Sequence, residues 1–142
     1  MMKEARTWDR VRLWITVAGG WLGGFLGGTD GLLKALVLLM ALDYGSGLLC
    51  AGMEGKLSSN VGFRGILKKV FILVLVGVAH TLDLYVAGTG SALRSAVICF
   101  YLSNEGLSVV ENAARMGLPV PGAIRNLLAQ LQGNGEEKEE KE

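Results

Sequence analysis

Histidine and cysteine, on which many enzymes and metal sites depend, are almost absent from this sequence. Its 142 residues include one histidine and two cysteines. Cys50 and Cys99 both lie in apolar segments and form no CxxC or metal-spaced pair. They predict neither a disulfide framework nor a zinc site, and we interpret them as small apolar fillers.

The motifs of common enzyme classes are also missing. The sequence has no HExxH, no GxSxG and no nucleotide-binding glycine loop, so it predicts no enzyme and no cofactor. His80 and Asp83 are i, i+3 neighbours, but without a second histidine a helix-end position near lipid headgroups explains His80 better than catalysis. Ser58 and Ser59 lie near lysines, and turn formation explains them better than a Ser–Lys nucleophile.

Charge is scarce as well. Only 19% of the residues are charged and the net charge is +1, which excludes a global basic field for nucleic acid. Hydrophobic residues make up 51% of the chain, the mean hydropathy is +0.41, and the apolar residues come in long blocks. Because about 20 apolar residues span a hydrocarbon core of about 30 Å, the sequence predicts an all-α integral membrane protein.

The blocks divide the chain into one helical membrane domain, residues 1–131, and a charged, low-complexity tail, residues 132–142, predicted to be disordered. About four transmembrane helices are predicted, over residues 13–28, 32–53, 70–86 and 92–112. Pro119 and Pro121 end the last of them. Apolar periodicity predicts short interfacial helices in the second half of the 54–69 loop and over residues 123–131.

Glycine is abundant, and the first span carries two interleaved G-x-x-x-G ladders. Small residues at this spacing let membrane helices approach closely, so we expect a helix-packing face. The alternative is a glycine-weakened helix lying at the interface. The ladder residues are Gly19, Gly20, Gly23, Gly24, Gly27 and Gly28.

The basic residues predict the topology. The head of the chain is basic, and the 54–69 loop has a net charge of +3 from Lys56, Arg64, Lys68 and Lys69 against Glu54. By the positive-inside rule, the head, this loop and the tail lie in the cytoplasm, so both termini are cytoplasmic. The basic head before an apolar run also resembles a signal peptide, but without a cleavage motif we expect an uncleaved first span.

The fourth span carries a polar ladder. Asn104, Ser108 and Glu111 follow at i, i+4, i+7, and Glu105 and Asn112 flank them. Asp43 lies at mid-depth in the second span. Such groups are costly in a membrane unless they face water or partner helices. They either hydrogen-bond between helices of a closed bundle or line a pore after several copies assemble, and the two interpretations are compatible.

These pieces resemble the toxin-secretion/phage-lysis holin family. The similarity rests on LDYGSG (residues 42–47), GKLSSNVGFRGILKK (residues 55–69) and LRSAVICFYLSNEGLSVVENAARMGLPVP (residues 93–121), and it covers roughly residues 32–131. The most specific part is NE-x-x-S-x-x-EN followed by GLPVP. The glycine ladders and the tail lie outside the strongest similarity.

The resemblance implies a non-enzymatic homo-oligomer in the bacterial cytoplasmic membrane. Such proteins accumulate harmlessly and then assemble into lesions that collapse the membrane potential. A murein hydrolase (endolysin), or in other systems a large toxin, is then released or activated. Two alternatives remain open. One is a small ion channel or transporter that uses Asp43, Asp83 and Glu105, and the other is an antiholin-type regulatory subunit.

Overall fold

A computed structural model describes residues 2–127 and residue 130, and within them the chain is helical with no strand. The long helices are α1 (Met2–Phe25), α2 (Gly31–Met53), α3 (Ser59–Leu82) and α4 (Ala92–Arg115). A π-helical turn, Asp83–Ala87, extends α3, and residues 122–127 are helical again. The predicted tail, residues 132–142, and Leu131 of the second interfacial helix lie outside the described residues.

Side-chain caps determine where the helices begin. The Asp30 carboxylate accepts a hydrogen bond from the Leu33 amide (2.9 Å) and so starts α2. The Ser58 hydroxyl oxygen accepts one from the Val61 amide (3.3 Å) and starts α3. Each cap satisfies an amide that has no partner within its own helix.

The early start of α3 corrects the predicted internal loop. Arg64, Lys68 and Lys69 lie on α3, and of the four predicted loop cations only Lys56 remains in the connection between α2 and α3. The physical reason is continuity. No proline separates the amphipathic stretch from the apolar run, so the helix that Ser58 caps continues through both.

The packed part of the molecule is a bundle of α2, α3 and α4. The largest contact is between α2 and α4, and α3 packs on both. The first turns of α2 and α4 meet through Asp30 and Arg94, and their last turns meet through Glu54 and Arg115. These two helices are therefore parallel, with α3 antiparallel to them. The buried core consists of Leu26, Leu33, Leu36, Met40, Ile72, Val76 and Ile98.

Helix α1 is peripheral. It contacts α3 alone among the other helices, through its C-terminal end. It ends at Phe25, because Gly27 and Gly28 adopt left-handed backbone conformations, with φ of 79° and 90°. These two glycines therefore lie beyond the helix, although the sequence places them in the first span. A Cβ added at Gly19, Gly20, Gly23 or Gly24 would meet nothing within 4 Å.

Within the described residues, two helical segments are long and apolar enough to cross a membrane, Gly31–Met53 and Ser59–Ala87. Large apolar side chains such as Leu38, Leu49 and Val70 are exposed on their outer faces, as expected for surfaces that lipid covers. The apolar part of α1, residues 13–25, is about 20 Å long at about 1.5 Å per residue, less than the hydrocarbon thickness. Four crossings are therefore not established by length and composition.

Gly77 on α3 accommodates the ring of Phe25 and so positions α1. A Cβ at Gly77 would overlap this ring, whereas a Cβ at Gly45 would meet nothing. We expect Gly77→Ala to displace Phe25 and with it Trp21, whose ring stacks on Phe25 with centroids 6.0 Å apart. In a Trp8→Phe/Trp14→Phe background the tryptophan emission should shift, and in Gly45→Ala it should not. An unchanged emission in Gly77→Ala would show that this contact does not position α1.

Candidate functional site: charged clusters inside the bundle

The central feature of the bundle is a lysine between two carboxylates, each from a different helix. Lys69 Nζ on α3 donates hydrogen bonds to Asp43 Oδ2 on α2 (2.6 Å) and to Glu105 Oε2 on α4. The side chains of Lys69, Asp43 and Glu105 are only 15%, 18% and 11% exposed. We call these three residues the central triad. Because each packed helix contributes one member, the triad joins all three helices.

Asn112 supplies a further donor to the triad from the cytoplasmic side predicted for α4. Its Nδ2 donates to Ser46 Oγ (2.9 Å) and to Asp43 Oδ1 (3.3 Å), and Asn112 is 6% exposed. The triad holds two carboxylates and one ammonium, so its formal charge is −1. Buried charges are tolerated when their hydrogen-bonding capacity is satisfied, and Asn112 and Lys69 together do this for Asp43.

A cavity of about 800 Å³ lies next to the triad between α2, α3 and α4. Leu67 and Phe71 line it from α3 and are themselves exposed, so the cavity opens beside that helix. Asn104 and Ser108 line it from α4. Both are half-buried, and neither side chain has a hydrogen-bond partner within the described part of the chain.

The structure thus divides the polar ladder of α4 into two faces and an exposed end. Glu105 and Asn112 point into the bundle and bind partners there, as does Asp43 from α2. Asn104 and Ser108 face the cavity. Glu111 is exposed at the end of the helix.

A second cluster lies at the opposite end of the bundle, around Arg94. This side chain is 2% exposed, and its guanidinium donates to the Leu26 carbonyl (2.6 Å), the Gly28 carbonyl (3.0 Å) and Asp30 Oδ2 (2.6 Å). The planar fork of an arginine suits several acceptors at once. Arg94 therefore fastens the α1–α2 connection, residues 26–30, to the first turn of α4.

Asp83 caps the N-terminus of α4, although it precedes that helix in the sequence and belongs to the π-helical turn. Its carboxylate accepts hydrogen bonds from the amides of Leu93 (3.0 Å) and Arg94 (2.8 Å) and from the Thr89 hydroxyl (2.5 Å). Asp83 is 1% exposed, and a buried carboxylate at a helix N-terminus is stabilised by the free amides there. This explains how α4 starts although Ser91 forms no side-chain cap.

Two of the residues considered for catalysis, Asp83 and Ser58, have structural partners instead. Asp83 is occupied by the start of α4, and the Ser58 hydroxyl caps α3. His80 Nδ1 is buried and has no hydrogen-bond partner among the described residues. Within residues 2–127 and residue 130, no group of three His, Cys, Asp or Glu side chains could hold a metal ion.

Two acidic residues outside the apolar segments have lowered pKa values. The hydrogen bond from Arg94 lowers the pKa of Asp30, and the Leu33 amide adds to the effect. The hydrogen bonds from Arg115 (2.6 Å) and then from Lys56 lower the pKa of Glu54. Glu54 thereby links the ends of α2 and α4 at the surface, where such pairs contribute little to stability.

We expect Arg94→Gln to raise the pKa of Asp30 towards its ordinary value of about 4, and Arg64→Gln to leave it unchanged. Carboxyl carbon NMR titration measures this directly. Since the folded-state pKa of Asp30 lies below its unfolded value, its contribution to stability is complete above about pH 4 and is lost as the pH falls through the lower native pKa. An Asp30 titration identical in both variants would contradict the Arg94–Asp30 pairing.

Sequence reasoning missed the roles of Lys69 and Arg94. A signal for Lys69 exists, because Lys69, Ile72 and Val76 follow at i, i+3, i+7 on the buried face of α3. Arg94 lies on one stripe of α4 with Ile98 and Glu105, all of them buried. In each case a cation lies on the face that the apolar residues identify as buried.

The chain is similar to known proteins over most of its length. The model of the bacteriophage holin family matches residues 20–133. An uncharacterized protein of Listeria monocytogenes is 47% identical over 123 residues, which cover 87% of each chain. An uncharacterized protein from the nagH 3' region of Clostridium perfringens is 38% identical over 105 residues, which cover 74% of this chain and 80% of that one.

One relative carries a functional name. A protein of Bacillus phage phi105 named "probable holin" is 30% identical over 118 residues, which cover 83% of this chain and 87% of that one. No solved structure matches the chain. The family model covers the C-terminal end of α1 from residue 20, the whole bundle and both charged clusters, and with these relatives it shows that the chain belongs to the bacteriophage holin family.

Proposed function

We propose that this protein is a holin that assembles in the bacterial cytoplasmic membrane into lesions that permeabilise it. The observation that carries the proposal is the central triad, Lys69 with Asp43 and Glu105. Its charges are satisfied inside one molecule whose outer surface is apolar, which permits harmless accumulation in lipid. The same groups can exchange internal partners for water when copies assemble, which permits an abrupt opening.

The proposed topology has four crossings with both termini in the cytoplasm. The parallel direction of α2 and α4 supports it, because parallel neighbours must be joined by a crossing in the opposite direction, which α3 provides. The charged first half of α1 and the lysines near the start of α3 then lie on the cytoplasmic side. Helix α4 carries charges, but Arg94 pairs with Asp30 and Glu105 pairs with Lys69 inside the molecule. These internal pairs support a crossing by α4.

The protein that the lesion releases or activates is proposed from membership of the holin family. A murein hydrolase would give host lysis, and a large toxin would give secretion. An ion channel or transporter is the second candidate, and the cavity of about 800 Å³ beside Asp43 and Glu105 favours it. An antiholin would share this fold and differ in being harmless alone.

Controlled expression in a bacterium tests the proposal. After a period of normal growth we expect sudden loss of membrane potential, followed by lysis when a murein hydrolase is present in the cytoplasm. Growth with an intact potential at high membrane abundance would overturn the proposal. If the chain then delays lysis by a second holin, it acts as an antiholin.

A further inference from the structure

We propose that α1 of a second copy of this chain packs into the groove between α3 and α4. This groove is the open part of the cavity, with an apolar wall of Leu67, Phe71 and Leu75 on α3 and a polar wall of Tyr101, Asn104 and Ser108 on α4. The inference rests on the proposed assembly of the protein and names the surfaces that would carry it.

Within residues 2–127 and residue 130, nothing fills the groove. Asn104 and Ser108 are half-buried in it without side-chain hydrogen bonds among the described residues, and Glu111 continues their stripe without an ion pair. Polar groups at membrane depth require water or another helix. The exposed Phe71 on the facing wall favours a helix, because an apolar side chain gains nothing from water.

Helix α1 offers the complementary face, which packs against no other described element of the chain. Arg12, Thr16, Gly19 and Gly23 follow at i, i+4, i+7, i+11 and share one side of the helix. Arg12, Thr16 and Gly19 are exposed and Gly23 is half-buried, and a Cβ added at either glycine would meet nothing within 4 Å. The face thus presents a positive charge, a hydroxyl group and a surface that permits close approach.

The two faces match in depth. Arg94 Nε donates to the Leu26 carbonyl, so these two residues lie at one level. Thr16 precedes Leu26 by ten residues and Asn104 follows Arg94 by ten, which places both about 15 Å further into the membrane at about 1.5 Å per residue. Any copy that crosses the same bilayer brings its Thr16 to the level of Asn104.

The charges match at the cytoplasmic end. Arg12 precedes Leu26 by 14 residues and Ser108 follows Arg94 by 14, so these two residues also lie at one level. Glu111 is one helical turn from Ser108. An antiparallel α1 would therefore place its guanidinium beside an unpaired carboxylate. The glycines would lie level with the half-buried ring of Tyr101 and the residues before it, where α4 and α1 must approach most closely.

The occupant is a second copy, because the chain's own α1 is held elsewhere. Arg94 binds the α1–α2 connection, and Phe25 packs against Gly77, so α1 leaves the bundle with its glycine face open. An interface that joins α1 of one copy to the groove of the next is head-to-tail. Such an interface leaves a free α1 and a free groove at the ends of every chain of copies and so permits growth to large assemblies.

Cross-linking between two differently tagged copies tests the interface. In a Cys50→Ala/Cys99→Ala background, one copy carries Thr16→Cys and the other Asn104→Cys, and a short bismaleimide is added to cells that express both. We expect a product that carries both tags, at least about tenfold more abundant than with either control. The controls are Ala18→Cys, on the opposite face of α1, and Leu42→Cys, on the exposed face of α2.

A charge exchange gives a second readout. Arg12→Glu in the first copy should lower the yield of the cross-linked product, and Glu111→Arg in the other copy should restore it. Yields equal to the controls would overturn the inference. A cross-link that forms only when both cysteines are in one chain would also overturn it and would assign the groove to the chain's own α1.

Membrane potential recorded in the same cells separates this inference from the proposed function. Depolarisation without the cross-link would refute the interface and leave the proposed function standing. The cross-link without depolarisation would establish the interface and refute the proposed function. If neither the cross-link nor depolarisation is observed, the interface and the proposed function are both refuted.

Discussion

Replacement of Lys69 by Met should destabilise the bundle strongly, because Lys69 pairs with a carboxylate from each of the other two packed helices. It removes the only ammonium within the central triad and leaves Asp43 and Glu105 facing one another with little of either side chain exposed. Removing one partner of a buried ion pair costs about 3–5 kcal/mol. The loss of folded protein can be followed in detergent micelles by thermal unfolding and by size-exclusion chromatography.

Lys68→Met is the matched control, because the neighbouring lysine is exposed and forms no ion pair with a described residue. Its unfolding temperature should stay near that of the unmodified protein. The triple variant Lys69→Met/Asp43→Asn/Glu105→Gln should recover much of the lost stability, since it removes the uncompensated charges. Equal stability of Lys69→Met and Lys68→Met would show that the triad does not join the helices.

The second large effect is expected at Arg94. Arg94→Met leaves the carbonyls of Leu26 and Gly28 without donors and Asp30 without its cation. We expect a cost of about 2–4 kcal/mol, below that of a fully buried pair because Asp30 is itself 48% exposed. The α1–α2 connection should then become sensitive to protease, which mass spectrometry of limited digests would locate at residues 26–30.

Two variants calibrate this result. Arg94→Lys keeps the charge but cannot serve three acceptors in a plane, so it should recover only part of the protection. Arg64→Met removes an exposed arginine from α3 and should leave the connection protected. A digest of Arg94→Met that matches the unmodified protein would show that α1 is held by other contacts.

The sequence predicts much of this architecture because apolar runs and caps are local signals. The span 32–53 agrees with α2 within one residue, and the polar ladder of α4 is continuous in one helix. Cations next to serines and glycines are typical of a membrane interface, so the sequence predicts a 54–69 loop with a separate interfacial helix in its second half. The structure instead places Arg64, Lys68 and Lys69 on α3, which continues into the third span. A serine cap followed by a sequence without proline is equally typical of a helix start.

The site was less predictable because its pairs join distant parts of the chain. Asp43 and Glu105 are identifiable as costly membrane carboxylates. Their shared partner, Lys69, lies in the basic 54–69 segment, whose cations are explained in the sequence by the positive-inside rule. Arg94 binds two backbone carbonyls, and no residue type marks a backbone acceptor in a sequence. Only the packing of α4 beside α2 brings these acceptors to the guanidinium.

The most direct test of the account is a release assay with purified protein in liposomes that contain trapped fluorescent dextrans of graded size. The account predicts that release starts abruptly above a threshold number of proteins per vesicle and that protein-sized dextrans leave together with small dyes. Gly23→Leu, which fills the open glycine face of α1, should raise this threshold. Ion-selective currents that increase in proportion to protein, without release of large dextrans at any density, would contradict the account and favour a channel.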